Sequence, residues 1–257
     1  MTHPVKSFKS DKLQVRIFND KAEMGEASAD FVTRHLLDAI EKNGSANMIL
    51  ATGTSQFPFL EVLKKKNIDW EKITVFHLDE YIGLSITHPA SFRKYLKERI
   101  LDEVKPGKVW FLNGDSPDIK SEIANYERLL KDTVIDIACI GIGENGHIAF
   151  NDPPVADFND PRLVKVVQLD EACRKQQLGE GWFPTFEDVP REALSLTIPA
   201  IMRCKVISCV VPDERKSTAV YNALNGEIST ACPASILRKH PDAVLFLDKY
   251  ASLKLAE

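Results

Sequence analysis

The stretch "GIGENGHIAFNDPP", residues 141 to 154, packs Glu144, His147 and Asp152 into nine residues, with Asn145 among them. Imidazole can both give and take a proton near neutral pH, and carboxylates beside it can orient it or share the load, which is the equipment of general acid–base catalysis. Gly141, Gly143 and Gly146 let the backbone turn sharply and come close to a ligand. The same glycines match the GxGxxG spacing of a dinucleotide-binding turn, and Asp170 stands near the distance expected of a ribose carboxylate. That turn needs its third glycine to open a helix. Here "HIAFNDPP" follows, and its β-branched and aromatic residues, Asn-Asp pair and two prolines stop any helix within two turns. A solitary loop histidine is as often held by hydrogen bonds as used in chemistry. This one has acids at hand, so the stretch reads as a catalytic loop.

Three other short stretches carry complementary chemistry. "ATGTSQ" offers the hydroxyls of Thr52, Thr54 and Ser55 around Gly53 at the entrance to a helix, an arrangement that either receives a phosphate or simply caps the helix. In "LDEYIGL", Asp79 is the first residue beyond an apolar run, so its carboxylate can reach a crevice as a general base, or cap a loop; Glu80 faces differently. Lys216, in "PDERKSTAV", sits at a helix start where a cation opposes the helix dipole. It is therefore a solvated surface residue or one that holds an anion, and the Thr-Gly-Thr-Ser stretch favours the anion; neighbouring Arg215 faces solvent.

These residues need a scaffold that brings distant strand ends together. Apolar β-rich runs at 13–18, 47–52, 73–78, 108–112, 135–140, 205–211 and 243–247 alternate with helical patterns at 20–43, 57–66, 90–103, 117–132 and 214–224. Runs that are apolar throughout suit strands covered on both faces. The alternation predicts an α/β fold with a doubly wound, mainly parallel, Rossmann-like sheet and helices on both faces. No linker or repeat divides residues 1–257, so one domain is expected. The rhythm breaks at 152–190, where clustered prolines and "QQLGEGWFPTFEDVP" predict a lid-like excursion over the surface.

A net charge of -4 in 257 residues supplies no global field for nucleic acid or an anionic membrane, so neither is an expected partner. No apolar run reaches the roughly 18 residues of a span, and a cytoplasmic protein is expected. The five cysteines, Cys139, Cys173, Cys204, Cys209 and Cys232, lack CxxC spacing and indicate neither a disulfide framework nor a metal site. Length and charge leave a monomer and a homo-oligomer equally open.

Taken in order, "LDEYIGL", "HPASF", "GIGENGHIAFNDP", "VPREALSLT", "RKSTAV" and "HPDAVLFLD" resemble the glucosamine-6-phosphate deaminase (isomerase) family across about residues 12 to 248. The resemblance implies an amino sugar phosphate substrate, no metal and no organic cofactor. It assigns Asp79 as the base between C2 and C1 and His147 to pyranose ring opening. Thr52, Gly53, Thr54, Ser55, Gly146 and Lys216 would then bind the substrate.

The chain also departs from the family. Where the family carries an aspartate two residues before its histidine and a glutamate five after, this chain has Asn145 and Asp152; Asn145 can orient His147 but brings no charge, which leaves Glu144 to supply a carboxylate. Arg174 stands for the lid arginine that holds phosphate, at altered spacing. Leu163, Val164 and Lys165 replace the Arg-x-Lys of members activated by N-acetylglucosamine 6-phosphate, which speaks against that control. Related 6-phosphogluconolactonases share the fold and a Gly-His loop but lack the Asp-Glu-Tyr strand end. Lactone hydrolysis and a catalytically silent sugar-phosphate sensor are the competing expectations.

Overall fold

The structure, a computed structural model, describes residues 2–179 and 181–255. Its strands are β1 (Lys6–Ser10), β2 (Leu13–Phe18), β3 (Ala46–Leu50), β4 (Ile73–His77), β5 (Asp79–Tyr81), β6 (Lys108–Trp110), β7 (Ile137–Ile140), β8 (Val164–Gln168), β9 (Glu192–Leu196), β10 (Val206–Val211) and β11 (Ala243–Asp248). Eight of them form one sheet in the order β1-β2-β11-β10-β7-β3-β4-β6, parallel except where β1 pairs back on β2. The helices are α1 (Lys21–Asn43), α2 (Phe57–Leu63), α3 (Phe92–Leu96), which runs through a π turn (Lys97–Leu101) into α4 (Asp102–Val104), then α5 (Ile119–Asp132), α6 (Glu171–Gly179), α7 (Ile198–Met202) and α8 (Ser217–Asn225).

Alternation along each strand builds two cores. On β11, Val244 and Phe246 join Met24, Phe31, Leu36 and Phe59 of α1 and α2; Leu245 and Leu247 face the other way, onto Ile123, Ile201 and Val220 of α5, α7 and α8. Covering both faces is why these strands read as continuous apolar runs. Helix ends follow local chemistry: Asp20 accepts from the Ala22 and Glu23 N–H groups at the start of α1, and Gly44 closes it at φ 79°.

At the sheet centre β3 and β7 lie side by side, yet the chain proceeds from β3 toward β4 on one side and from β7 toward β10 on the other. Loops leaving the two carboxyl ends therefore diverge and open a crevice, the place where open α/β sheets bind ligands.

Several elements differ from the sequence reading. β3 ends at Leu50, so Thr52 lies outside the ladder, and β4 ends at His77 because the chain changes sheets at Leu78. β5, β9 and β8 form a second, antiparallel sheet in which Asp79 pairs with Ser195. Stretch 152–190 accordingly holds strand β8 and helix α6 rather than loop throughout. Its prolines and glycines masked a short half-buried strand that pairs with β9 across the intervening α6. β1, whose side chains are mostly exposed, carried too weak an apolar signal to be found.

Candidate active site

One cavity at the crevice collects residues from four strand ends. Ala51, Thr52, Gly53 and Ser55 follow β3; Leu78 and Asp79 follow β4; Gly141, Ile142, Gly143 and His147 follow β7; Lys216 lies in the 3-10 turn after β10. Ala149 and Phe150, Phe92 at the start of α3, and Gln176 and Gln177 of α6 complete the wall. Lys216 is buried and lines the same cavity as Asp79 and His147.

The glycines of the opening stretch have specific tasks. A Cβ on Gly143 would fall 2.1 Å from the His147 ring, which lies directly over it. Gly146 has φ +87°, and a Cβ there would come within 2.7 Å of Cys232 Sγ. His147 N–H donates to Asn145 Oδ1 at 3.0 Å, and Asn145 Nδ2 donates to Asp152 Oδ1 at 2.7 Å. His147 Nδ1 lies 2.8 Å from that same Asp152 oxygen. Burial raises the Asp152 carboxyl, but the hydrogen bond and charge of His147, then Asn145 and Cys173, carry it below the usual aspartate value. With Nδ1 turned to a carboxylate, Nε2 is the nitrogen left for a substrate proton.

Asp79 is 7% exposed, and its Oδ1 has no hydrogen-bond partner among the described residues. Burial, and then the charge of Glu80, push its pKa well above the ordinary aspartate value. Leu78, Phe92 and Phe150 make its surroundings partly apolar. A desolvated carboxylate is a stronger base than one in water, which suits it to a weakly acidic C–H.

The structure brings Thr52, Gly53, Ser55, Asp79, His147 and Lys216 to one cavity; the remaining candidates stand elsewhere. Asn145 and Asp152 lie behind His147, as its support. Gly146 packs against Cys232, and Thr54 Oγ1 lies 3.5 Å from the exposed Arg215. Glu144 is exposed and pairs with Arg215 at 3.4 Å, so the carboxylate beside His147 is Asp152 rather than Glu144: the loop turns at Gly146 and throws residue 144 outward. Arg174 does not line the cavity. Its Nη2 donates to Phe186 O at 2.7 Å and Val189 O at 2.8 Å, its Nε also donates to Val189 O, and its plane stacks on Phe186, which ties the side chain to its own segment. Sequence reasoning missed Phe92, Gln176 and Gln177. The Ser-Phe after a proline, which starts α3, and the paired glutamines in the lid stretch were the available signals.

The description "Glucosamine-6-phosphate isomerases/6-phosphogluconolactonase" belongs to a family model that matches residues 19–246. A glucosamine-6-phosphate deaminase of Exiguobacterium sibiricum is 38% identical over 208 residues, 81% of each chain. One from Listeria monocytogenes is 34% identical over 224 residues, covering 86% of this chain and 94% of its own. A solved structure of a monomeric glucosamine-6-phosphate deaminase superposes with TM-score 0.84 at 30% identity, covering 93% of this chain and 98% of that one. A 6-phosphogluconolactonase from Thermotoga maritima shares the fold at TM-score 0.76 and 19% identity, over 93% of this chain and 100% of its own. With a match over most of its length and relatives above 30% identity, the chain belongs to the glucosamine-6-phosphate isomerase/6-phosphogluconolactonase family.

Proposed function

We propose that this chain is a deaminating aldose–ketose isomerase that converts a hexosamine 6-phosphate and water to the ketose 6-phosphate and ammonia. The observation that carries this is the cavity shared by Asp79, His147, Lys216 and the Thr52-Gly53-Ser55 turn. Deaminase relatives at 30–38% identity support it. Lys216 and the turn hold the phosphate, which fixes the sugar carbons opposite the acid and the imidazole. His147 exchanges a proton with the ring oxygen as the pyranose opens, with Asp152 holding its ring. Asp79 removes the proton from C2 of the open aldehyde form and returns it to C1, while O1 gains the proton that the amino group gives up, leaving an imine at C2. Water adds there, ammonia departs, and the ketose remains. Gln176 and Gln177 offer amides to sugar hydroxyls from the lid side. Proton transfers and the hydrolysis of that imine make up the sequence of steps, which calls on no metal or organic cofactor.

Ammonia release from glucosamine 6-phosphate and galactosamine 6-phosphate tests the reading and identifies the epimer. Asp79→Asn should lower kcat by about a thousandfold, the scale of losing a general base. Activity that survives this substitution removes Asp79 from the role. Lactone hydrolysis needs no carbon-acid base, so acid release from a 6-phosphogluconolactone that is indifferent to Asp79→Asn would favour the lactonase alternative.

A further inference from the structure

Glu80 directly follows the proposed base and, by strand alternation, faces away from it. It is 0% exposed, and its carboxylate gathers five donors: the N–H groups of Tyr81 (2.9 Å), Phe92 (3.1 Å) and Arg93 (3.0 Å), the Ser91 hydroxyl (2.8 Å) and Arg93 Nε (3.1 Å). Arg93, 3% exposed, continues to Leu84 O at 2.7 Å, Asn113 Oδ1 at 3.3 Å and Asp115 Oδ1 at 2.7 Å. The two elements so joined each contribute to the cavity wall, β5 through Asp79 and α3 through Phe92.

A strand and a helix can be packed together with apolar side chains at lower cost than a buried ion pair. A carboxylate with five directional bonds admits a single geometry, which packing alone does not enforce. We propose that Glu80 is a positioning residue of the active site, its carboxylate clamping the Asp79 strand end to the start of α3 so that base and wall keep one spacing. This rests on the reading of Asp79 as the base. Glu80 on its own strand and Cys173 from α6 couple electrostatically to Asp79, and His147 and Lys216 line the same cavity. Glu80 in turn faces Arg93, which Asp115 also pairs.

Glu80→Gln keeps the shape and removes the charge. A misplaced base is felt in the transition state, whereas phosphate contacts set binding. We expect kcat to fall about tenfold to a hundredfold with KM within about threefold. The acid limb of the kcat profile should move to lower pH, because a negative neighbour that opposes ionisation of Asp79 is gone. Ser91→Ala, which deletes one donor and leaves the ion pair, should give a smaller shift of kcat in the same sense and serves if Glu80→Gln does not fold. Asp115→Asn, at the half-exposed outer end, should keep wild-type kcat. Folded Glu80→Gln protein with wild-type kcat, or lowered melting temperature with an unmoved acid limb, overturns the proposal. Should wild-type protein release no ammonia, the proposed function fails separately. The Asp79 carboxyl titration, followed by carbon-13 NMR and assigned with Asp79→Asn, then reads the clamp: a shift to lower pH in Glu80→Gln supports it and an unmoved titration overturns it.

Discussion

His147 depends on three neighbours within its own loop. Gly143 leaves room for its ring, Asn145 holds its N–H and the Asp152 carboxylate, and Asp152 faces Nδ1. Asp152→Asn should therefore reduce kcat by about tenfold to a hundredfold through loss of ring orientation, with KM little changed. The same residue predicts a pH dependence of stability. Its folded pKa lies below the unfolded value, so its charged form adds stability above about pH 4 and loses that contribution as pH falls through the folded value. Denaturant midpoints should show Asp152→Asn less stable than wild type at neutral pH, with the gap closing on acidification.

At the level of elements, two cations that look alike in the sequence do different work. Lys216 is delivered to the cavity by the turn before α8, whereas Arg174 on α6 ties its helix to the carbonyls of Phe186 and Val189. Lys216→Met should raise KM and the inhibition constant of inorganic phosphate by about tenfold to a hundredfold, the worth of one charge-assisted hydrogen bond. Arg174→Met should instead destabilise by about 2 kcal/mol, since it leaves the buried Val189 carbonyl without a donor. Its effect on phosphate inhibition should be the smaller of the two. Phosphate inhibition lost equally in both variants would place the arginine at the ligand after all.

Across the whole molecule, the cavity forms where the central sheet changes winding direction between β3 and β7 and where a second sheet carries Asp79. The scaffold's rigidity comes from both faces of the large sheet being covered. Phe246, fully buried between Phe18 and Phe31, is a measure of it. Phe246→Ala should cost about 3–5 kcal/mol and lower Tm by roughly 10 °C in calorimetry, while kcat well below Tm stays within about twofold. Among the described residues no helix is long and apolar enough to cross a membrane.

The parallel sheet was legible in the sequence because strands buried on both faces announce themselves locally, as "IDIACI" and "AVLFL" do, and so were the types of chemistry available in "GIGENGHIAFNDPP". The antiparallel sheet of β5, β9 and β8 was not legible, because its strands are only three to five residues long and owe their identity to partners elsewhere in the chain, more than a hundred residues away in the case of Asp79 and Ser195. For the same reason the choice of Asp152 over Glu144 beside His147, and of backbone carbonyls over ligand for Arg174, belongs to the tertiary structure. Composition and spacing say which groups are present, but the direction a side chain points is set by where the chain turns and by what has already taken its hydrogen bonds.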